Sequence, residues 1–341
     1  MGAERMRALS VDEAAAQYER MPIALRPATL HPAYVIADAA RNPLLQPLFL
    51  SYEEAGECWL HSLHRTDVPG MTLLRDASSP YGYGGPVCST DHAGFVAAAW
   101  HAYLEWMRAD GVVVEYIRFH PMLGNERHYG GNVTDSRAVV CVDLEQDDIT
   151  AGYAVRQRQA LKKAAGAGLV YEEADLAPMV REFAAFYRAG MTDIGADPFY
   201  LFADSYFEAL AASGLARVGC SRSPGEQWLA AALFLDGHGM REYHLAATSA
   251  EGRKASASTF VLHRGALAAR ARGLRRLYLG GGSDVRPDNP LLFFKSSFSP
   301  QRLTYRTGWN VFDAKRYDEL ERRFAHERAA HPERPIFHRI V

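Results

Sequence analysis

Cysteine is scarce: Cys58, Cys88, Cys141 and Cys220 are the four in 341 residues, and no two form a C-x-x-C pair. That spacing excludes a disulfide framework or a thiolate zinc cage as the organising device and leaves the four as passive core residues. Long apolar runs are missing too. No stretch approaches the roughly 18 residues a membrane span needs, and residues 1–30 lack the apolar core of a signal peptide, so no membrane span and a cytoplasmic location are expected. A metal-ligand cluster is also lacking. His61 and His64 could act as a pair only on a helix, whereas Glu57 to His64 reads as a strand. Neither sign of charge dominates, the net being −2.

What is present is apolar content sufficient for a large core: 48% hydrophobic residues over 341 positions are enough for two domains. The charge is unevenly spread. Residues 251–341 carry 18 Lys+Arg against 9 Asp+Glu, while residues 1–250 carry 20 against 31. A basic end could meet a polyanion through its phosphates; solvated helix faces such as Arg316 to Arg328 are the plainer account.

The most informative stretch runs from Arg275 to Phe298. Leu277 to Leu279 has strand character, Gly280, Gly281 and Gly282 follow at once, and beyond a polar turn lies the apolar segment Leu291 to Phe298, broken by one cation, Lys295. Three glycines remove side chains where a backbone must turn sharply or where something must approach it. A strand end, a bare corner and one lysine between Phe294 and Phe298 make a candidate site; a tight turn with a snorkelling surface lysine is the bland alternative.

Taken in order, Leu48–Tyr52 and Cys58–Leu63 form a hairpin, Met71–Leu74 is a further strand, Phe95–Arg108 a helix with one apolar face, and Val112–Phe119 and Ala138–Leu144 strands. Between them, residues 79–86 (SPYGYGGP) are a loop whose open backbone and aromatic edges suit a groove. Tyr153–Ala165 is a basic helix and Leu169–Tyr171 a strand. Then come helices Leu176–Ala189 and Asp204–Ala212, a meander of Ala216–Cys220, Trp228–Leu235 and Arg241–Ala247, a helix Thr259–Arg272, the strand before the glycines and a further helix. The inventory is that of a mixed α+β protein. Lys163-x-x-Gly166-x-Gly168 imitates a phosphate-cradling pattern but falls at the end of a helix, where free carbonyls disfavour an anion; a glycine C-cap explains it.

The order Leu279-Gly280-Gly281-Gly282, a turn with Asp288, then Leu291-x-x-Phe294-Lys295-x-x-Phe298 resembles the C-terminal signature of the FemABX family, aminoacyl-tRNA-dependent transferases of the GNAT superfamily. The basic helix resembles the stretch that joins the two halves in that family, and the 79–86 loop is similar to its acceptor-facing Y-x-x-x-G-P loop, with Ser89 where an acid is often found. The resemblance implies two tandem GNAT-like (acyl-CoA N-acyltransferase) domains: residues 1–150, a connecting helix over 151–173, and 174–341. It implies an aminoacyltransferase forming an amide between an amino acid carried by aminoacyl-tRNA and a peptide or peptide-like acceptor, possibly carrier-bound, with no cofactor. Lys295 and Phe294 would be the catalytic pair, and Tyr83, Tyr206, Tyr243, Gly281 and Gly282 would bind substrate, Tyr243 facing Tyr206 from the sheet. An arginine of relatives that bind a UDP-linked muropeptide becomes Phe202 here, which tilts the acceptor from a peptidoglycan precursor towards a natural-product peptide. His244, Glu242 and Asp284 are the candidates for a general base if one is needed. Two readings stand beside this one: an acyl-CoA-dependent N-acyltransferase, and a non-catalytic protein whose groove binds a peptide.

Overall fold

The computed structural model describes residues 5–286 and 288–339. Ser10 and Glu13 form a reciprocal capping box at the first helix, and Ala55 and Gly56, with φ of 53° and 86°, close the first hairpin. The chain runs β1 (Met6–Ala8), α1 (Val11–Arg20), α2 (Pro32–Ala39), β2 (Gln46–Glu54), β3 (Glu57–Asp67), β4 (Arg75–Ser78), β5 (Val87–Cys88), α3 (Ala93–Ala109), β6 (Val112–Arg118) and β7 (Asn132–Asp143). It continues with α4 (Val155–Gly166), β8 (Val170–Asp175), α5 (Leu176–Asp193), α6 (Asp204–Ala212), β9 (Ala216–Arg222), β10 (Trp228–Asp236) and β11 (Met240–Thr248). It ends with α7 (Ala250–Lys254), α8 (Ala257–Ala271), β12 (Arg276–Gly281), α9 (Pro290–Ser296), β13 (Arg302–Val311), α10 (Ala314–Arg323) and α11 (Ala325–Ala330).

One order of elements occurs twice. A strand, two helices, three antiparallel strands, a helix and a strand parallel to the third describe β1 to β6 apart from the two-residue β5, with β4 parallel to β6. They also describe β8 to β12, where the short α7 is added before α8, with β11 parallel to β12. The last strand of each set pairs outside its own set: β7 is antiparallel to β12, and β13 to β6.

One compact unit is accordingly discontinuous in sequence, residues 1–136 with 305–341, and encloses the other, residues 137–304, in chain order. The sequence reading instead divides the chain at 150 and 173 and keeps the C-terminus with the second half. Linear order carries no signal for an exchanged strand, which explains the difference. A second difference is local. Met71 to Leu74 is a turn rather than a strand, because Leu73 adopts φ 62°, a left-handed conformation no strand residue can hold.

In the first unit the apolar face of α3 packs Phe95, Ala99, Tyr103 and Met107 with Leu50, Trp59 and Leu63 of the sheet. In the second, α8 and α4 cover one face with Val261, Leu262 and Ala164 against Val140, Ala232, Phe234 and Leu279. The other face takes α5 and α6: Gly190 of α5 lies against Ala247, and Phe186 meets Trp228 edge-on.

Candidate functional site

The site of the second unit is an opening in its sheet. β11 and β12 pair in parallel through Met240–Arg276, Arg241–Leu277 and Glu242–Tyr278, and among the described residues the pairing goes no further. Beyond that point each strand follows its other neighbour. Both carry a bulge where they part: His244 is the extra residue against β10, and Leu279 the extra residue against β7. A bulge bends its strand and sharpens the local twist, so two of them on adjacent strands account for the separation.

The three glycines are required by this geometry. Gly280 takes φ 75° beside the bulge. A Cβ on Gly281 would lie 2.8 Å from the Ala138 oxygen and 3.4 Å from Arg137 Cδ, and one on Gly282 would lie 2.6 Å from Asn289 Cγ. What approaches the bare backbone is therefore this chain itself. Asn289, buried in the space Gly282 leaves, accepts hydrogen bonds from the Leu291 and Leu292 amides and so caps α9. Pro290 at the first helical position completes the start.

Lys295 lies in the last turn of α9 with 8% of its surface exposed. Its Nζ donates to the Gly281 carbonyl oxygen at 2.9 Å and sits 5.6 Å from the centre of the Tyr243 ring, so one ammonium touches both parted strands. Among the described residues no carboxylate pairs with it. Burial, and then the positive charge of Arg137, push its pKa down to about 7. Arg137 Nη1 donates to the carbonyl of the next residue, Gly282, at 3.1 Å. Nothing in the sequence marks that arginine, which reads as one of many before a strand. Phe294 packs edge-on against Phe298 at 5.3 Å and joins the α8-side core.

Tyr206 and Tyr243 do not meet as expected. Tyr243 turns to the α8 face, against Phe234, and it is His244 that meets Tyr206, sharing a hydrogen bond of 2.7 Å between Tyr206 Oη and His244 Nε2. Alternation is the cause up to this point: Arg241, two residues earlier, faces α8 and donates to the Gly265 carbonyl, so Tyr243 shares its face and His244 takes the other; the bulge acts beyond them. Tyr243 and Ala246 would point to opposite faces in a regular strand, yet both join the α8-side core because one residue between them is extra. Tyr206 itself is fully buried. Phe202, also buried, lies 4.7 Å from the Tyr206 ring, and its carbonyl accepts from Arg188 at 3.2 Å.

Tyr83 belongs to the first unit, half-buried with its ring edge-on to His120 at 5.1 Å and to Tyr305 at 5.8 Å. Its loop is held from beneath by Asn125, whose amide donates to the Gly84 and Pro86 carbonyls. Ser89 accepts from the Cys58 amide, and Asp91 pairs with Arg127 and His128.

The phosphate-like pattern at Lys163 ends α4, with Gly168 at φ 68° as its left-handed cap. Between β11 and the 15-residue α8 stands the short α7, and Ser256, at φ 59°, joins the two helices. Asp284, one of the candidate bases, is half-buried and held well below the usual carboxylate range by Arg286, which suits no proton acceptor. The basic C-terminal stretch is divided, residues 251–304 folding in one unit and 305–341 in the other. Several of its arginines are already paired: Arg253 with Asp193, Arg276 with Asp143, Arg306 with Asp135 and Arg339 with Asp76. Among the described residues no three His, Cys, Asp or Glu could hold a metal ion, and no helix is long and apolar enough to cross a membrane.

An order of elements that occurs twice, each time ending on a parallel strand pair, is that of a tandem GNAT-type acyltransferase fold. Residues 153–289 match the family model of the acetyltransferase (GNAT) domain. Among solved structures the chain is similar to FemX, at 14% identity over 94% of this chain and 99% of that one, with a TM-score of 0.69. It is also similar to the C-terminal domain of a putative lysylphosphatidylglycerol synthetase from Agrobacterium fabrum (18% identity, 96% and 97% covered, TM-score 0.58). A tandem GNAT protein from the clavulanic acid biosynthesis pathway shares the fold as well (12% identity, 90% and 98% covered, TM-score 0.50). The chain has a tandem GNAT fold similar to that of FemX. No curated protein matches its sequence.

Proposed function

We propose that the protein is an aminoacyltransferase that moves an amino acid from aminoacyl-tRNA to the amine of a peptide or peptide-like acceptor. The observation that carries this is the buried Lys295 ammonium set where β11 and β12 part, in contact with both. Attack of an amine on an ester passes through a tetrahedral oxyanion. A fixed, poorly solvated cation beside that oxygen stabilises it more than the ground-state carbonyl, which is what lowers a barrier. In this reading donor and acceptor meet at the parted strands from opposite faces of the sheet. The α8 side is left to the donor; the α5–α6 side, with His244 and Tyr206, suits the amine.

Phe294 excludes water on the α8 side, Gly281 and Gly282 shape the corner, and Tyr243 backs the lysine. Tyr83 and its loop contribute acceptor contacts. With Phe202 in place of a guanidinium, the acceptor needs no nucleotide phosphate clamp, which favours a natural-product peptide over a peptidoglycan precursor.

Acyl-CoA as donor is the second reading, favoured by the match of residues 153–289 to an acetyltransferase domain. Incubation with a pool of charged tRNA and candidate amines, with and without RNase, and in parallel with acetyl-CoA, separates the two by mass spectrometry. A gain of one amino-acid residue that RNase abolishes supports the first. An acetyl gain that is indifferent to RNase overturns it, and no gain from either donor leaves a peptide-binding role.

A further inference from the structure

The mechanism above gives Lys295 a charge to hold but assigns nothing to its neighbour. Lys295 Nζ and Arg137 Nη1 occupy the carbonyl oxygens of consecutive residues, Gly281 at 2.9 Å and Gly282 at 3.1 Å. The arginine stem reaches that position by crossing Gly281, where a Cβ would meet Arg137 Cδ at 3.4 Å. Two cations are thus gathered on one backbone corner. Of such a pair the lysine is the one that yields its proton, because a guanidinium keeps its own across the whole working range.

We propose that Arg137 is a positioning residue of the active corner, one that converts Lys295 from a static charge into an acid able to hand its proton to the departing oxygen. This rests on the aminoacyl-transfer reading and deepens it. The acceptor nitrogen bonds to the ester carbonyl carbon, and the carbonyl oxygen takes up the electron pair beside the ammonium. When the intermediate collapses, the carbon–oxygen ester bond breaks and the leaving alkoxide takes the Lys295 proton. The new amide nitrogen releases its extra proton to water, and Lys295 is recharged from solvent. An alcohol is a poor leaving group without that proton, so the lysine's acidity matters most for an ester of an alcohol.

The other groups around Lys295 do not supply this effect. Tyr243 faces it from β11 as a ring. Arg156 of α4 lies over the Phe293 ring, and Arg302 of β13 donates to the Ser296 carbonyl. Asp284 and Arg286 of the preceding loop pair with each other. After burial, Arg137 is the charge that acts on the lysine.

The test reads Lys295 without relying on turnover. The full chain is labelled with acetic anhydride across a pH series and acetylation of Lys295 is followed by mass spectrometry, in native protein, Arg137→Gln and Arg137→Lys. The midpoint is expected near 7 in native protein and Arg137→Lys and clearly higher in Arg137→Gln. A midpoint unmoved in Arg137→Gln overturns the proposal, whatever the fate of the aminoacyl-transfer reading. Where transfer is measurable, Arg137→Gln should slow reaction from an alcohol ester by about tenfold while changing an activated phenyl ester less than about twofold. Equal losses on both esters, with native-like thermal unfolding, would mark Arg137 as merely structural.

Discussion

The Lys295 ammonium reaches back 14 residues to the Gly281 carbonyl oxygen, and that hydrogen bond fixes a buried cation at the mouth of the parted strands. A carbonyl and a ring are weak company for a charge removed from water. The position is costly to keep charged and is filled nonetheless, as the proposed oxyanion-stabilising role requires.

Replacing Lys295 by Met keeps length and removes charge. Transfer should fall about 10²–10³-fold, with acceptor binding little changed, because the interaction belongs to the transition state. Stability should hold or rise, since an unpaired buried cation is exchanged for an apolar chain. Product formation and thermal unfolding measured on the same preparation check both; equal activity in the variant would remove the lysine from the mechanism.

The pH dependence has a definite sign. The folded value of about 7 lies below the ordinary 10.5. As the ammonium is the active form, the chemical step should weaken as pH rises through about 7, and Lys295→Met should lack that limb. Stability moves the other way. Between about pH 7 and 10.5 the unfolded chain binds the proton that the folded chain has lost, so this residue's contribution makes the protein more stable as pH climbs. Denaturant midpoints taken across that interval should show the slope in native protein and less of it in Lys295→Met.

Asn289→Ala removes the cap that starts α9 and should cost about 0.5–2 kcal/mol, with a fall in transfer although this side chain touches no substrate. Asn289→Asp or Asn289→Ser should restore much of the stability. Gly282→Ala presses a methyl into the same Asn289 side chain and should cost about 1–3 kcal/mol. Urea melts of the four variants, ranked against transfer rate, test whether helix start and lysine placement move together.

Tyr206→Phe breaks the hydrogen bond to His244 and should destabilise the protein by about 1 kcal/mol. Because Tyr206 is fully buried, it acts on the acceptor through His244, so Tyr206→Phe and His244→Ala should each raise KM for the acceptor while leaving KM for the donor alone. Their effects should not add in the double variant. Additive effects would mean that the two side chains work separately.

Several elements were legible from local pattern. Asp204 to Ala212 is a helix as read, the meander strands fall within a few residues of their expected places, and the cap at Gly168 follows from where a glycine stands after a helix. These are set by neighbours in sequence, through periodicity, capping and turn chemistry. The glycine run likewise announced a close approach, without naming the Asn289 and Arg137 side chains that make it.

The remainder needed tertiary structure because it depends on residues far apart in the chain. The exchange of β7 and β13 moves the domain boundaries, and no composition shift accompanies it. That His244, and not Tyr243, meets Tyr206 depends on which face of the sheet α6 covers, and alternation along a strand does not say which of its two faces a distant helix takes. Arg137 stands 158 positions before Lys295. Only strand pairing between β7 and β12 places both cations on one corner, and with it the acidity that a lone lysine in a sequence cannot reveal.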